Sequence, residues 1–126
     1  KGNYKETDAV KPFNNYGLSK LGGECAVSMY KKSLILRITM TEKPFTHNTA
    51  FTNLKSNFMF HEDLIDMLPK IINKTGIINI GGKSQSVYDF ARKHNKSVKK
   101  TKLNKNSNFP LNQTMNLSKL KKLLKW

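Results

Sequence analysis

The sequence predicts an α/β fold in which parallel strands are flanked by helices. Apolar residues recur at helical spacing in several segments, and short runs rich in β-branched residues follow two of them. A helix followed directly by a buried strand is half of a β–α–β repeat, and repeated pairs are typical of a parallel sheet covered by helices. The length of 126 residues suits one small domain.

The first predicted helix runs from about Asn15 to Lys31, after a polar loop over residues 1–13. Asn14 or Asn15 can cap it by accepting hydrogen bonds from its first free amides. Its apolar face is predicted to comprise Leu18, Leu21, Cys25, Ala26 and Met29. We expect Cys25, the only cysteine, to be a small buried hydrophobe, and a single cysteine excludes an internal disulfide.

Two adjacent glycines, Gly22 and Gly23, lie inside this predicted helix, where each costs about 1 kcal/mol relative to Ala. Either another backbone or a ligand approaches closely at this point, or the helix is simply weakened.

The first strand is predicted over Ser33–Thr39, a short apolar run that fits a fully buried parallel strand. Thr41 to Phe60 shows little periodicity and is expected to be an irregular loop with a short helical turn. A second helix over His61–Asn73 contains Pro69, which should kink it or end it early. A second strand, Ile77–Ile80, is closed by Gly81 and Gly82.

A third helix, Val87–Asn95, follows Ser86 and Asp89, which have the spacing of a capping box. Residues 97–103 alternate weakly and suggest an edge strand protected by lysines. Asn116 is predicted to cap a final helix with its leucines facing inward: Leu117, Leu120, Leu123 and Leu124.

The chain is strongly basic, with a formal net charge of +15 from 23 basic and 8 acidic residues. Such a charge raises a nucleic-acid or anionic-membrane hypothesis. However, Arg37 and Arg92 are the only arginines, and an abundance of Lys, Asn and Ile indicates an AT-rich coding sequence. We expect no specific nucleic-acid partner, although a basic nucleic-acid-binding module and a membrane-surface final helix stay open as alternatives.

Two other function classes receive no support from the sequence. No apolar run is long enough to span a bilayer. His47 and His61 stand without a second ligand at metal-binding spacing, so we predict no metal site.

Tyr16 and Lys20 form a Y-x-x-x-K pair at the start of the first helix. Residues four apart lie on the same helix face, one turn above each other. A cation beside a phenol favours the phenolate, so the pair can work as a proton donor. The spacing alone is weak, since Tyr and Lys also meet by chance on surface helices.

The residues around this pair resemble the extended short-chain dehydrogenase/reductase family, and within it most closely the dTDP-4-dehydrorhamnose reductases. The family pattern matches Tyr4, Glu6, Asp8, Pro12, Asn15, Tyr16, Gly17, Ser19, Lys20 and Glu24. Further matches are Leu36-Arg37-Ile38-Thr39, Asp63-Leu64 and the ending Ser118-Lys119-Leu120. Met40 departs from the family, where an aromatic residue commonly follows the strand, and this leaves the sugar substrate open.

The resemblance implies the C-terminal part of a Rossmann-like NAD(P)-binding fold, with the Gly-rich N-terminal half absent. Residues 1–126 would form part of one such domain, with the dyad in residues 1–40 and the substrate side in residues 41–126. Tyr16 and Lys20 would be catalytic, and Tyr16, Lys20 and Thr39 would bind NAD or NADP. The reaction would reduce nucleotide-linked 4-keto-6-deoxy sugars in deoxysugar or surface-polysaccharide synthesis, in the cytoplasm.

The family's third catalytic residue, a Ser or Thr, and its pyrophosphate-binding turn would precede Lys1. We therefore expect the chain to need the missing N-terminal half, in cis or as a partner chain, for activity. A nucleotide-sugar epimerase or dehydratase of the same family, and a non-catalytic regulatory relative, are the alternatives. Homodimerisation, cofactor preference and the nucleotide sugar itself stay open.

Overall fold

The computed structural model describes residues 1–126, which form four helices and eight short strands. The helices are α1 (Asn15–Ser28), α2 (His61–Ile71), α3 (Val87–His94) and α4 (Ser118–Leu124). The strands are β1 (Leu34–Ile38), β2 (Met40–Thr41), β3 (Thr49–Phe51), β4 (Lys55–Ser56), β5 (Met59–Phe60), β6 (Gly76–Ile80), β7 (Gln85–Ser86) and β8 (Lys99–Thr101).

The strands pair two by two. β1 and β6 are parallel over five residues, from Leu34 opposite Gly76 to Ile38 opposite Ile80. The β2–β5 and β3–β8 pairs are also parallel, whereas β4 and β7 are antiparallel. The predicted α/β class with parallel strands and flanking helices is therefore confirmed.

Two apolar clusters form the core. One lies where β6 meets α2 and α4, and its buried members are Met59, Ile71, Ile78, Ile80, Leu120 and Leu124. The other surrounds α3 and comprises Phe45, Ala50, Leu54, Phe60, Val87, Tyr88, Phe90, Ala91 and Val98. The inward leucines predicted for the last helix lie in or against the first cluster, apart from Leu117.

Local capping explains where the helices begin. The Phe60 N–H donates to Asp63 Oδ2 at 2.8 Å at the start of α2, which ends two residues after Pro69. Ser86 Oγ accepts from the Asp89 N–H at 3.0 Å and caps α3 as predicted. Asn116 Oδ1 accepts from the Ser118 N–H at 2.9 Å, although Leu117 occupies the cap position of α4.

Three predictions about α1 and β1 are wrong. α1 ends at Ser28 rather than Lys31, and none of its residues is buried. Cys25 is exposed, Leu18 is 58% exposed and Met29 is 87% exposed. β1 is half-buried along its whole length rather than fully buried, because only β6 pairs with it.

The prediction for residues 41–60 is also wrong. Instead of an irregular loop with a helical turn, the segment contains β3, β4 and β5, and β2 ends at Thr41. These strands have only two or three residues, too few to show an alternating pattern. β3 and β4 pair with β8 and β7, which lie about thirty to fifty residues further along the chain, so no local signal could reveal these two pairings.

Glycine is required after β6 because two backbones approach closely. A Cβ at Gly81 would lie 2.7 Å from the Asn57 carbonyl oxygen, and one at Gly82 would lie 2.6 Å from that of Phe58. At Gly22 and Gly23 a Cβ would meet nothing within 4 Å, so no part of this chain approaches α1 there. No helix is both long enough and apolar enough to cross a membrane.

Candidate active site

The structure brings Tyr16 and Lys20 together at the start of α1. Asn14 caps this helix, its Oδ1 accepting from the Gly17 N–H at 2.8 Å, so Tyr16 lies in the first turn. Lys20 follows one turn later, and its Nζ lies 5.3 Å from the centre of the Tyr16 ring. The phenol is 70% exposed, so another molecule can reach it.

Thr39, the third predicted site residue, follows the last residue of β1 and is half-buried. Its carbonyl accepts from the Met59 N–H at 3.2 Å, which links the end of β1 to the start of β5. The position agrees with the rule that ligands of parallel sheets bind at the carboxyl ends of strands. No hydrogen bond joins Thr39 to Tyr16 or Lys20.

A partly buried ion pair fixes α1 against β1. Arg37 donates from Nε to Glu24 Oε2 at 3.1 Å and from Nη2 to Glu24 Oε1, so the contact is bidentate. Arg37 Nη1 also donates to the Glu6 carbonyl at 3.1 Å. One guanidinium therefore ties the N-terminal loop, the dyad helix and β1 together.

Asn79 extends this network from the fourth of the five residues of β6. Its backbone N–H donates to Glu6 Oε1 at 3.1 Å, and its Nδ2 donates to the carbonyls of Tyr4 and Asn116 at 2.9 and 3.2 Å. A buried amide with these partners holds the N-terminal loop and the C-terminal segment on the sheet.

Sequence reasoning missed the positioning roles of Glu24, Arg37 and Asn79, although a signal was present. Arg37 stands inside the apolar run Leu34–Ile38, and Asn79 stands inside Ile77–Ile80. A polar side chain within a buried strand needs hydrogen-bonding partners, because an unpaired one is costly.

A cavity of about 530 Å³ adjoins the dyad helix. Its walls come from α1, from residues 4–13 and from residues 108–115. Lys20 and Gln113 give it polar groups, whereas Phe13 and Leu21 give it apolar surface. Six of its 18 lining residues are hydrophobic and most of the others are charged or polar, and a cavity of this volume suits a small polar ligand. The resemblance implied a substrate side in residues 41–126, and Asn79, Asn108, Pro110, Gln113 and Met115 from that range line this cavity.

No cluster of three or more His, Cys, Asp or Glu side chains is arranged to hold a metal ion.

No protein-family model matches the sequence, and no curated protein matches it either. Several solved structures match the chain. A hypothetical dTDP-4-dehydrorhamnose reductase from Sulfolobus tokodaii is 26% identical, with a TM-score of 0.72 over 97% of this chain and 52% of its own. The dTDP-4-dehydrorhamnose reductase of Bacillus anthracis in complex with NADP is 20% identical, with a TM-score of 0.78 over 94% of this chain and 52% of its own.

A UDP-glucuronic acid 4-epimerase from Bacillus cereus in complex with NAD is 22% identical, with a TM-score of 0.69 over 100% of this chain and 49% of its own. This chain thus spans about half the length of the structures it matches. The predicted resemblance to extended short-chain dehydrogenase/reductases, and to dTDP-4-dehydrorhamnose reductases among them, is confirmed. The fold is part of the Rossmann-like fold of these proteins.

Proposed function

We propose that this chain provides the proton-donating part of an NAD(P)H-dependent reductase of nucleotide-linked 4-keto-6-deoxy sugars. The observation that carries the proposal is the contact between Lys20 and Tyr16 at the exposed start of α1. The similarity in fold to two dTDP-4-dehydrorhamnose reductases supports the same substrate class.

Reduction of a ketone adds hydride to the carbonyl carbon and a proton to the carbonyl oxygen. Tyr16 donates the proton from its hydroxyl group, which leaves a phenolate. The Lys20 ammonium group stabilises this phenolate because opposite charges attract at short range. Since both side chains are exposed, they can adopt the rotamers that this transfer needs.

The residues present fit the nicotinamide end of a dinucleotide. A bound nicotinamide dinucleotide supplies the hydride. Lys20 forms no ion pair in this chain, so its N–H groups are free to donate to ribose hydroxyls. Thr39 offers a hydroxyl at the carboxyl end of β1. No G-x-G-x-x-G sequence follows a strand in this chain, so the pyrophosphate must be held by other residues.

The uncovered face of α1 and the unpaired edge of β1 are proposed to contact the Gly-rich half of the fold, in cis or as a partner chain. α1 has no buried residue, and β1 pairs on one side only. The matching structures are about twice as long as this chain.

A charge at Leu18 tests this contact. Leu18→Asp should leave the stability of the present chain almost unchanged, because Leu18 is exposed here. Together with the Gly-rich half, joined in cis or added as a partner chain, it should destabilise the fold clearly, by burying a charge. Lys31→Asp, just beyond α1, is the control and should be tolerated in both. Equal effects of Leu18→Asp in the two proteins would contradict the proposed contact.

An epimerase is the second candidate, because the whole length of this chain also matches part of the NAD-bound UDP-glucuronic acid 4-epimerase. The two reactions differ in their use of cofactor. A reductase consumes one NAD(P)H for each sugar reduced, whereas an epimerase returns the hydride and consumes none.

The test is to incubate this chain, together with the Gly-rich half in cis or as a partner chain, with NADPH or NADH and a dTDP-4-keto-6-deoxy sugar, and to follow nicotinamide absorbance and product. Stoichiometric oxidation supports the reductase. Epimerisation of a nucleotide sugar without net oxidation supports the epimerase. Tight binding of the dinucleotide without either reaction would contradict both and favour a regulatory relative.

A further inference from the structure

A polar depression of about 670 Å³ lies between the β4–β7 pair and α3. It shares no lining residue with the cavity beside the dyad helix. None of its lining residues is hydrophobic, and four of them are cationic: Lys55, Lys83, Arg92 and Lys93. These cations come from β4, the β6–β7 loop and α3, so the fold gathers them from separate parts of the sequence.

The positive charge of this depression is largely uncompensated. Asp89 is its only carboxylate, and Asp89 Oδ2 already accepts from Ser86 Oγ at 2.7 Å. The two ion pairs of the chain, Lys1–Asp8 and Arg37–Glu24, lie elsewhere.

Neutral acceptors hold two of the cations in place. Arg92 Nη1 donates to the hydroxyl of Tyr88, whose side chain is buried, and the guanidinium also lies 5.9 Å from the Tyr88 ring centre. Lys93 Nζ donates to Gln85 Oε1 at 2.7 Å. Such bonds orient a cation without neutralising it, which leaves its charge available to a ligand.

Arg92 is informative because the chain has only two arginines and the other one is used in the ion pair with Glu24. The general excess of lysine does not account for an arginine at this position. A guanidinium has a planar fork of N–H donors that matches the oxygens of a phosphate group.

We propose that this depression binds the phosphate groups of a small diphosphate-bearing ligand. Its volume leaves room for two phosphate groups and their bound water. Four cations within one open depression give the charge complementarity that a diphosphate needs. This inference concerns a site separate from Tyr16 and Lys20, and it does not depend on the reductase proposal.

The test is a titration of the present chain with inorganic pyrophosphate at physiological salt. Binding is measured by calorimetry and by changes in NMR amide chemical shifts. We expect saturable binding with shifts confined to β4, the β6–β7 loop, β7 and α3, including Arg92 and Lys93 in its last turn. Arg92→Gln and Lys83→Gln should each weaken binding by at least about fivefold, because each removes a charge-assisted hydrogen bond. The pyrophosphate affinity of Arg92→Lys should lie between that of Arg92→Gln and that of the unchanged chain.

Lys122→Gln is the matched control, since Lys122 is an exposed lysine on α4 outside the depression. It removes the same charge and should leave pyrophosphate affinity unchanged. Circular dichroism of each variant checks that the fold is intact. Tighter binding of a nucleoside diphosphate than of pyrophosphate at the same residues would identify the ligand as a nucleotide.

Three results would overturn the proposal. These are the absence of saturable binding, shifts spread over all lysine-rich surfaces, and an equal loss of affinity in Lys122→Gln and Arg92→Gln. The last two would show non-specific attraction to a basic protein.

Discussion

The ion pair between Glu24 and Arg37 should stabilise the whole chain, because it fixes the dyad helix to β1. The two side chains are 18% and 21% exposed, and their contact is bidentate. An exposed pair contributes about 0.2–1 kcal/mol, whereas breaking a fully buried one costs about 3–5 kcal/mol. The intermediate burial predicts a cost of about 2 kcal/mol for Arg37→Ala or Glu24→Ala.

A double-mutant cycle measures the pair itself. We expect the double variant Glu24→Ala/Arg37→Ala to lose less stability than the two single variants added together, with a coupling energy of about 1 kcal/mol or more. Urea unfolding followed by circular dichroism gives each free energy of unfolding. Arg37→Lys should recover only part of the loss, because an ammonium group cannot make the two-pronged contact.

Glu62→Gln is the control, since Glu62 is an exposed carboxylate outside any ion pair of the chain. It should change the free energy of unfolding by no more than about 0.5 kcal/mol. A coupling energy within error of zero for Glu24 and Arg37 would refute the role assigned to the pair.

Further predictions concern the stability of the chain, measured by urea unfolding. Gly22→Ala should stabilise by about 0.5–1 kcal/mol, since the helix gains propensity and the added Cβ meets open space. Gly82→Ala should destabilise, since its Cβ would lie 2.6 Å from a backbone oxygen, and the reverse order of these two variants would contradict the account. Ser56→Ala should be neutral or stabilising, because its buried hydroxyl has no partner. Asn57→Ala should cost about 1–3 kcal/mol, because it leaves the Met115 N–H and the Gly82 carbonyl without their side-chain hydrogen-bond partner. Similar costs for Ser56→Ala and Asn57→Ala would refute the reasoning. Asn14→Ala should cost about 1 kcal/mol through loss of the α1 cap, and an unchanged midpoint would show that the cap is unimportant.

The elements predicted correctly are those with strong local patterns. α2 forms where apolar residues recur at helical spacing, and β6 forms where an apolar run is followed by two glycines. α3 begins after Ser86, which the sequence predicts as its cap. Packing of α1 could not be predicted in the same way. Periodicity identifies an apolar face such as that of Leu18, but it does not say which element covers that face.

Contacts between distant segments account for the other differences. β3 pairs with β8 about fifty residues later, and three-residue strands carry no readable alternation. The candidate site is predictable to the extent that it lies on one helix, as Tyr16 and Lys20 do. The cavity walls near Gln113 and the network around Asn79 depend on the tertiary fold.

The most direct test of the central claim is the reductase rate of Tyr16→Phe in this chain together with the Gly-rich half, in cis or as a partner chain, measured as NAD(P)H oxidation with a dTDP-4-keto-6-deoxy sugar. Tyr30→Phe is the matched control, because Tyr30 is an exposed tyrosine just beyond the same helix. The account predicts that Tyr16→Phe lowers kcat by about 10²–10⁴-fold with dinucleotide still bound, while Tyr30→Phe leaves it unchanged. Equal rates in the unchanged protein and in Tyr16→Phe would contradict the assignment of Tyr16 as the proton donor.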